Sequence, residues 1–223
     1  MPPKPRPQGP KKRPQPPGPP SSPPAWLLGV AGLGIAAVIA LVAFAAFGGS
    51  GGGPGDARAA LEEAGCTLEG KPALVGDHSI QTPDGTSPKW DTDPPTSGPH
   101  YDQPAIWGAY EDPVNLAQLV HNLEHGGVFV LYGTDVPEST VAQLKSFYED
   151  KTRGTVLAPQ ASLGDKIALG AWTTPSANDP ADGTAFLATC SSFDEGAYTA
   201  FFDAYQFKGP ERFPADSLLP GSG

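Results

Sequence analysis

Residues 26–47 (WLLGVAGLGIAAVIALVAFAAF) run for 22 residues without one charged side chain. A helix of that length reaches about 33 Å, enough to cross a hydrocarbon core of about 30 Å. Trp26 stands where an interfacial aromatic belongs. Ahead of the run lie Lys4, Arg6, Lys11, Lys12 and Arg13 and no acidic residue. Cations on that side keep the N-terminus in the cytoplasm and send the rest of the chain outside. A cleaved signal peptide is the rival reading, with Ala43-Phe44-Ala45 as the processing site. Its apolar region would normally be about 7–15 residues, so the uncleaved anchor is the preferred reading. Either alternative delivers an extracytoplasmic domain.

The anchor divides the rest of the chain. Residues 1–25 form a proline-rich basic arm without an apolar face, expected to be disordered or polyproline-like. A docking motif for a proline-recognising domain is the other reading of the arm. Residues 48–57 are a Gly-rich linker, residues 58–213 the globular domain and residues 214–223 a tail. After residue 25 the remaining nine Lys and Arg face all 24 Asp and Glu, a net charge of −15. An acidic body repels phosphate backbones, which argues against nucleic-acid binding. The membrane is the expected partner, and the sequence identifies no protein partner.

Cys66 and Cys190 are the two cysteines, and there is no Cys-x-x-Cys pair. An even count in an exported domain implies a disulfide, the alternative being two separate buried thiols. The bridge would stabilise the domain by on the order of 4 kcal/mol by restricting the unfolded chain.

Regular structure concentrates after residue 112. Asp56–Ala64 is a short helical pattern ending before Gly65, and residues 66–112 read as one long irregular stretch, a feature often tied to function. Asp112-Pro113 offers a helix start, Leu116, Val120 and Leu123 share one face, and Gly126 can end the helix in a left-handed cap. Val128–Tyr132 is an apolar strand. Pro137 opens a second helix that buries Val141, Leu144, Phe147 and Tyr148. Thr155–Ala158 and Lys166–Trp172 read as strands, and Asp194 caps a last helix carrying Ala197, Phe201, Ala204 and Tyr205. Strand–helix–strand implies a parallel pair, and the short link between the later strands implies an antiparallel one. The fold expected is therefore α/β or α+β, one extracytoplasmic domain with a mixed sheet flanked by helices, preceded by one transmembrane helix. The same element order occurs in the later part of thioredoxin-like folds, which would need a redox cysteine pair that is absent here.

All four histidines fall between positions 78 and 125: His78, His100, His121 and His125. His121 and His125, four apart on a helix, stack two imidazoles on one face, and such a pair can share a metal ion. His78 and His100 sit in the irregular stretch, where a loop can fold back over that helix. Met1 is the only methionine, which removes a thioether-rich copper(I) site and leaves zinc or copper(II) on imidazoles. Glu124, Asn122 and Tyr101 are candidates for the surrounding support. The opposing reading makes the histidines structural, bracing the loop through hydrogen bonds and meeting the helix dipole. His121-Asn-Leu-Glu-His125 also matches the inverted zinc-peptidase pattern, with Glu124 as general base and Glu195 as third ligand. Tyr101, Trp107 and Tyr110 are candidates for lining a shallow pocket.

PPTSGPHY (94–101), PAIWGAY (104–110), LVHNLEHGGVFVLY (119–132) and FDAYQFKGPE (202–211) resemble, in order, the blocks of domain-of-unknown-function family 3105. The resemblance covers roughly residues 60–212 and implies a membrane-anchored extracytoplasmic bacterial protein. It carries over His100, Tyr101, Trp107, His121, Asn122, Glu124, His125 and Gly126, and supplies no reaction. The expectation is a membrane-anchored domain that binds a transition metal through its histidines. A non-catalytic cell-envelope interaction module is the alternative, and a metal-dependent hydrolase the remote one.

Overall fold

Six strands form one mixed sheet whose two faces are both covered. The computed structural model describes residues 52–87, 89–177 and 182–223. The anchor, the basic arm and the choice between anchor and signal peptide lie outside these residues. Among the described residues no helix is long and apolar enough to cross a membrane.

The elements in chain order are α1 (Pro54–Glu63), β1 (Thr67–Pro72), β2 (Gly108–Ala109), α2 (Leu116–Glu124) and β3 (Val128–Tyr132). They continue with α3 (Glu138–Asp150), β4 (Thr155–Pro159), β5 (Ile167–Thr173), β6 (Thr184–Cys190) and α4 (Glu195–Tyr205). The sheet order is β1-β6-β5-β3-β4-β2. β3 and β4 are parallel, as a strand–helix–strand unit requires, and β2 adds parallel to β4. β5 runs opposite to β4 as the short link demands, yet it pairs with β3 rather than with β4. β3 is buried along its whole length, and it accepts a neighbour on each edge. Three strands were not read from the sequence: β1, β2 and β6. β1 carries Gly and Pro and alternates poorly, and β2 is only two residues long, so neither has a periodic signature.

Alternation along the strands sorts the core into two layers. Val128, Val130, Tyr132, Ile167, Leu169 and Ala171 pack with α1, α3 and α4 on one face. Phe129, Leu131, Ala168 and Trp172 point to the other, where Leu119, Val120 and Leu123 of α2 cover them. Cys66 and Cys190 form a disulfide within the first layer, as expected from their even number.

Several boundaries differ from the sequence reading: α1 starts at Pro54, inside the stretch read as linker, and β1 lies within the stretch read as irregular. α2 starts at Leu116, because the Asn115 side chain accepts a hydrogen bond from Ala117 N at 3.0 Å and so caps the helix. Residues 112–114 precede it as non-helical chain. The C-terminal residues 214–223, read as a tail, pack against the domain: Leu218 is buried, and Gly154 N and Trp107 N donate to the carbonyls of Leu218 and Ser222.

Candidate metal centre

The C-terminal half of α2 faces a loop that folds back over it. Gly126 ends this helix at φ +89°, the left-handed conformation expected of it. The carbonyls exposed at that end are taken up by a distant segment. Phe207 N donates to Gly126 O at 2.6 Å, Glu211 N to Glu124 O at 3.0 Å and Phe213 N to His125 O at 3.4 Å. The last of the four sequence blocks thus serves as the cap of the helix that carries the histidines.

The loop is fixed by its own backbone bonds. His100 N donates to Asp77 O at 2.8 Å and Ile80 N to His100 O at 3.2 Å, so residues 77–80 lie alongside residues 100–101. That pairing sets His78 beside His100. Tyr101 N donates to Ala117 O at 3.2 Å, docking the same strip on the first turn of α2. Gly76 lets it come close, since a Cβ there would stand 2.6 Å from Trp172 and 2.9 Å from Glu124 Oε1.

Three imidazoles then make a near-equilateral triangle. Ring centroids of His78, His100 and His121 are separated by 4.8, 4.9 and 4.9 Å. With Glu124 they form a group that could hold a metal ion, one donor atom from each lying within 4.8 Å of the others. His100 is wholly buried and His121 and Glu124 nearly so, whereas the His78 side chain is about half exposed.

The donor chemistry follows from the second ring nitrogens. His100 Nδ1 lies 2.8 Å from Gly98 O and His121 Nδ1 2.8 Å from Tyr101 O. A carbonyl oxygen only accepts, so each Nδ1 carries a proton and, in the neutral ring, each Nε2 presents its lone pair. His100 Nε2 and Glu124 Oε2 lie 3.1 Å apart, an ion pair when the imidazole is protonated, and neither buried atom has another hydrogen-bond partner among the described residues. Two lone pairs that close need a positive charge between them. A proton on His100 supplies it in the metal-free protein, and a metal ion can take that proton's place.

The same proximity governs protonation in the metal-free protein. Burial works against charge on His100, but the Glu124 carboxylate facing it holds the imidazolium above the ordinary histidine value. Burial likewise opposes ionisation of Glu124, and His100 with its neighbours overcomes this and keeps the carboxyl below its usual range. Burial lowers His121. His125 is pushed down to about 4, by burial first and then by the neighbouring His121.

The remaining residues singled out in the sequence separate from the four donors. His125 flanks the group: its Nε2–H donates to His121 Nε2 at 3.1 Å, its Nε2 lies 3.7 Å from Glu211 Oε2, and its ring packs against Phe213 at 4.3 Å. Glu124 stands in the donor set itself rather than behind it. Tyr101 contributes its carbonyl to His121. Asn122 serves another loop, donating to Ala105 O at 2.8 Å and accepting from Ala105 N at 2.9 Å. Glu195 opens α4, which packs on the opposite face of the sheet, and it is not in the group. The aromatic pocket does not assemble: Trp107 is core, while Tyr110 lines an open groove of about 900 Å³ with Pro104 and Ile106. Trp172, Gly76, Glu211 and Phe213 were not flagged by sequence, since each reaches the site only through the sheet or the C-terminal cap.

Fold and site together define a mixed α/β domain whose α2 face carries a buried His/Glu cluster. The chain belongs to the DUF3105 family, whose model, described as a protein of unknown function, matches residues 81–217. No curated protein and no solved structure matches it.

Proposed function

We propose that this chain is a membrane-anchored extracytoplasmic domain that binds one zinc or copper(II) ion through His78, His100, His121 and Glu124. The observation that carries the metal reading is the convergence of one donor atom each from His78, His100, His121 and Glu124 to within 4.8 Å of one another, with His100 Nε2 and Glu124 Oε2 3.1 Å apart. Imidazole nitrogens with one carboxylate suit zinc and copper(II). The half-exposed His78 gives the centre an open side, which a fully closed structural site would lack. The anchor rests on the uncharged run at residues 26–47 and its cationic flank. The disulfide between Cys66 and Cys190 suits an oxidising compartment.

The full chain, purified in detergent and stripped with chelator, should take up about one equivalent of zinc or copper(II) by elemental analysis. His100→Ala with His121→Ala should abolish that uptake while the far-ultraviolet circular dichroism stays folded. Uptake by the double variant equal to that of the parent chain would remove the metal reading. Recovery of the full chain in the soluble rather than the membrane fraction would remove the anchor.

A further inference from the structure

We infer that the groove beside β2 is a docking site for an extended, Lys- or Arg-bearing peptide segment of a partner protein. The inference stands apart from the metal reading and needs no ion at the donor cluster.

The groove, about 900 Å³ in volume, is lined by residues on both sides of β2, with Ile106 before the strand and Tyr110 and Val114 after it. Ile106 is 55% exposed, and it continues into Pro104 and Pro113 as one apolar surface. An apolar patch rimmed by polar residues marks an interaction surface. Its walls are fixed before anything binds. Asn122 holds Ala105 through two hydrogen bonds, and the Tyr110 hydroxyl donates to Ile106 O. On the outer side Gly221 N donates to Trp107 O, and Trp107 N to Ser222 O. A preformed groove loses little conformational freedom on association.

The open backbone sets the shape of the occupant. β2 ends the sheet order and pairs only with β4. Tyr110 N donates to Leu157 O, and Ala109 stands opposite Leu157. Neighbouring residues of a strand point their backbone groups to opposite edges, so Ala109 turns its N–H and C=O away from β4. Neither group has a hydrogen-bond partner among the described residues. An extended peptide laid along this edge meets one donor and one acceptor there and sets alternate side chains into the groove.

Charge selects the peptide. No Lys, Arg or His lines the groove, and Asp84 does. Asp102 and Asp112, both exposed, adjoin the lining residues Gln103 and Pro113. None of these three carboxylates enters an ion pair among the described residues. Unpaired acids around an apolar surface complement a segment with cations around apolar residues. A second copy is disfavoured, because each chain carries a net charge of −15 after residue 25.

Panning a random-peptide phage library against the full chain in detergent, with chelator present, tests the groove. Enriched sequences should carry an excess of Lys and Arg beside apolar residues. In fluorescence anisotropy with an enriched peptide, Ile106→Gln should weaken binding roughly tenfold. Asp84→Asn with Asp112→Asn should weaken it about fivefold at low salt, and the difference should shrink as ionic strength rises. All three side chains are exposed, so the variants should keep the parental circular dichroism. No enrichment, enriched peptides without excess Lys and Arg, or parental affinity in Ile106→Gln would overturn the proposal. So would self-association of the parental chain, measured by light scattering, that Ile106→Gln abolishes, since the groove would then belong to a second copy.

Discussion

Trp172 and Gly76 decide how tightly the loop lies on the donor cluster. The tryptophan ring stands edge-on to His100 at 6.4 Å, and any side chain at position 76 runs into it and into Glu124. Gly76→Ala should therefore push the 76–78 strip outward and misplace His78. The expected result is metal affinity lowered by about tenfold or more, with thermal stability reduced by about 1–3 kcal/mol from overpacking. Competition titration against a chelator of known affinity checks the first and urea melts the second; affinity equal to the parent would show that His78 does not bind.

His125 makes a pH dependence at the same scale. Its folded pKa is depressed to about 4, against an ordinary value near 6.5. The unfolded state thus binds more protons than the folded one between those values, and stability rises with pH across that window. Acidification of the metal-free chain from about pH 6.5 to about pH 4 should cost on the order of 3 kcal/mol when the shift is fully expressed. His121, Glu211 and Phe213 contact the ring, and the charges of Glu124, His100 and His78 act on it. His125→Asn should flatten this part of the pH–stability profile, measured by denaturant melts with chelator present. An unchanged slope would assign the acid lability to other groups.

At the scale of elements, α2 is the hub. One face packs on Phe129, Leu131 and Trp172, His121 and Glu124 face the loop, and Asn122 grips the segment at Ala105 through both the oxygen and the nitrogen of its amide. Removing that clamp leaves a buried backbone N–H and C=O without partners. Asn122→Ala should cost about 2–4 kcal/mol in urea unfolding, while metal stoichiometry at low temperature stays near that of the parent. Loss of metal without loss of stability would give Asn122 a role at the donors rather than at the loop. The C-terminal cap on α2 is the other element-scale device. It ties residues 207–213 to the histidine helix, and through it a remote block of sequence acquires a place at the site.

For the whole molecule, the disulfide and the donor cluster occupy opposite faces of the sheet. The bridge spans 124 residues of sequence, and its reduction should lower stability by on the order of 4 kcal/mol. The donor cluster is held by α2, its loop and its cap, none of which contains a cysteine. Reduction with a phosphine should therefore lower the thermal midpoint while leaving metal uptake at 20 °C intact. Coupled loss of both would mean that the two layers fold as one unit.

The sequence alone determined the features that are local or compositional. It gave the helix bounded by Pro137, the Asp194 cap, the left-handed Gly126, the parallel β3–β4 pair and the pairing of two cysteines. Periodicity and capping act within a few residues, and only two thiols were there to pair. The histidine cluster was half legible: the spacing of 121, 124 and 125 sets three side chains on one turn, and the loop histidines could be named but not aimed. Tertiary structure decided which donors converge, because the 77–80 strip pairs with residues 100–101 across 20 positions of sequence that no local rule connects. It also decided that Asn122 turns to Ala105, that Glu124 joins the donors, and that Glu211 arrives beside His125. Each of these depends on long-range hydrogen bonds and on which face of the sheet a strand presents, and neither is written in the spacing of residues along the chain.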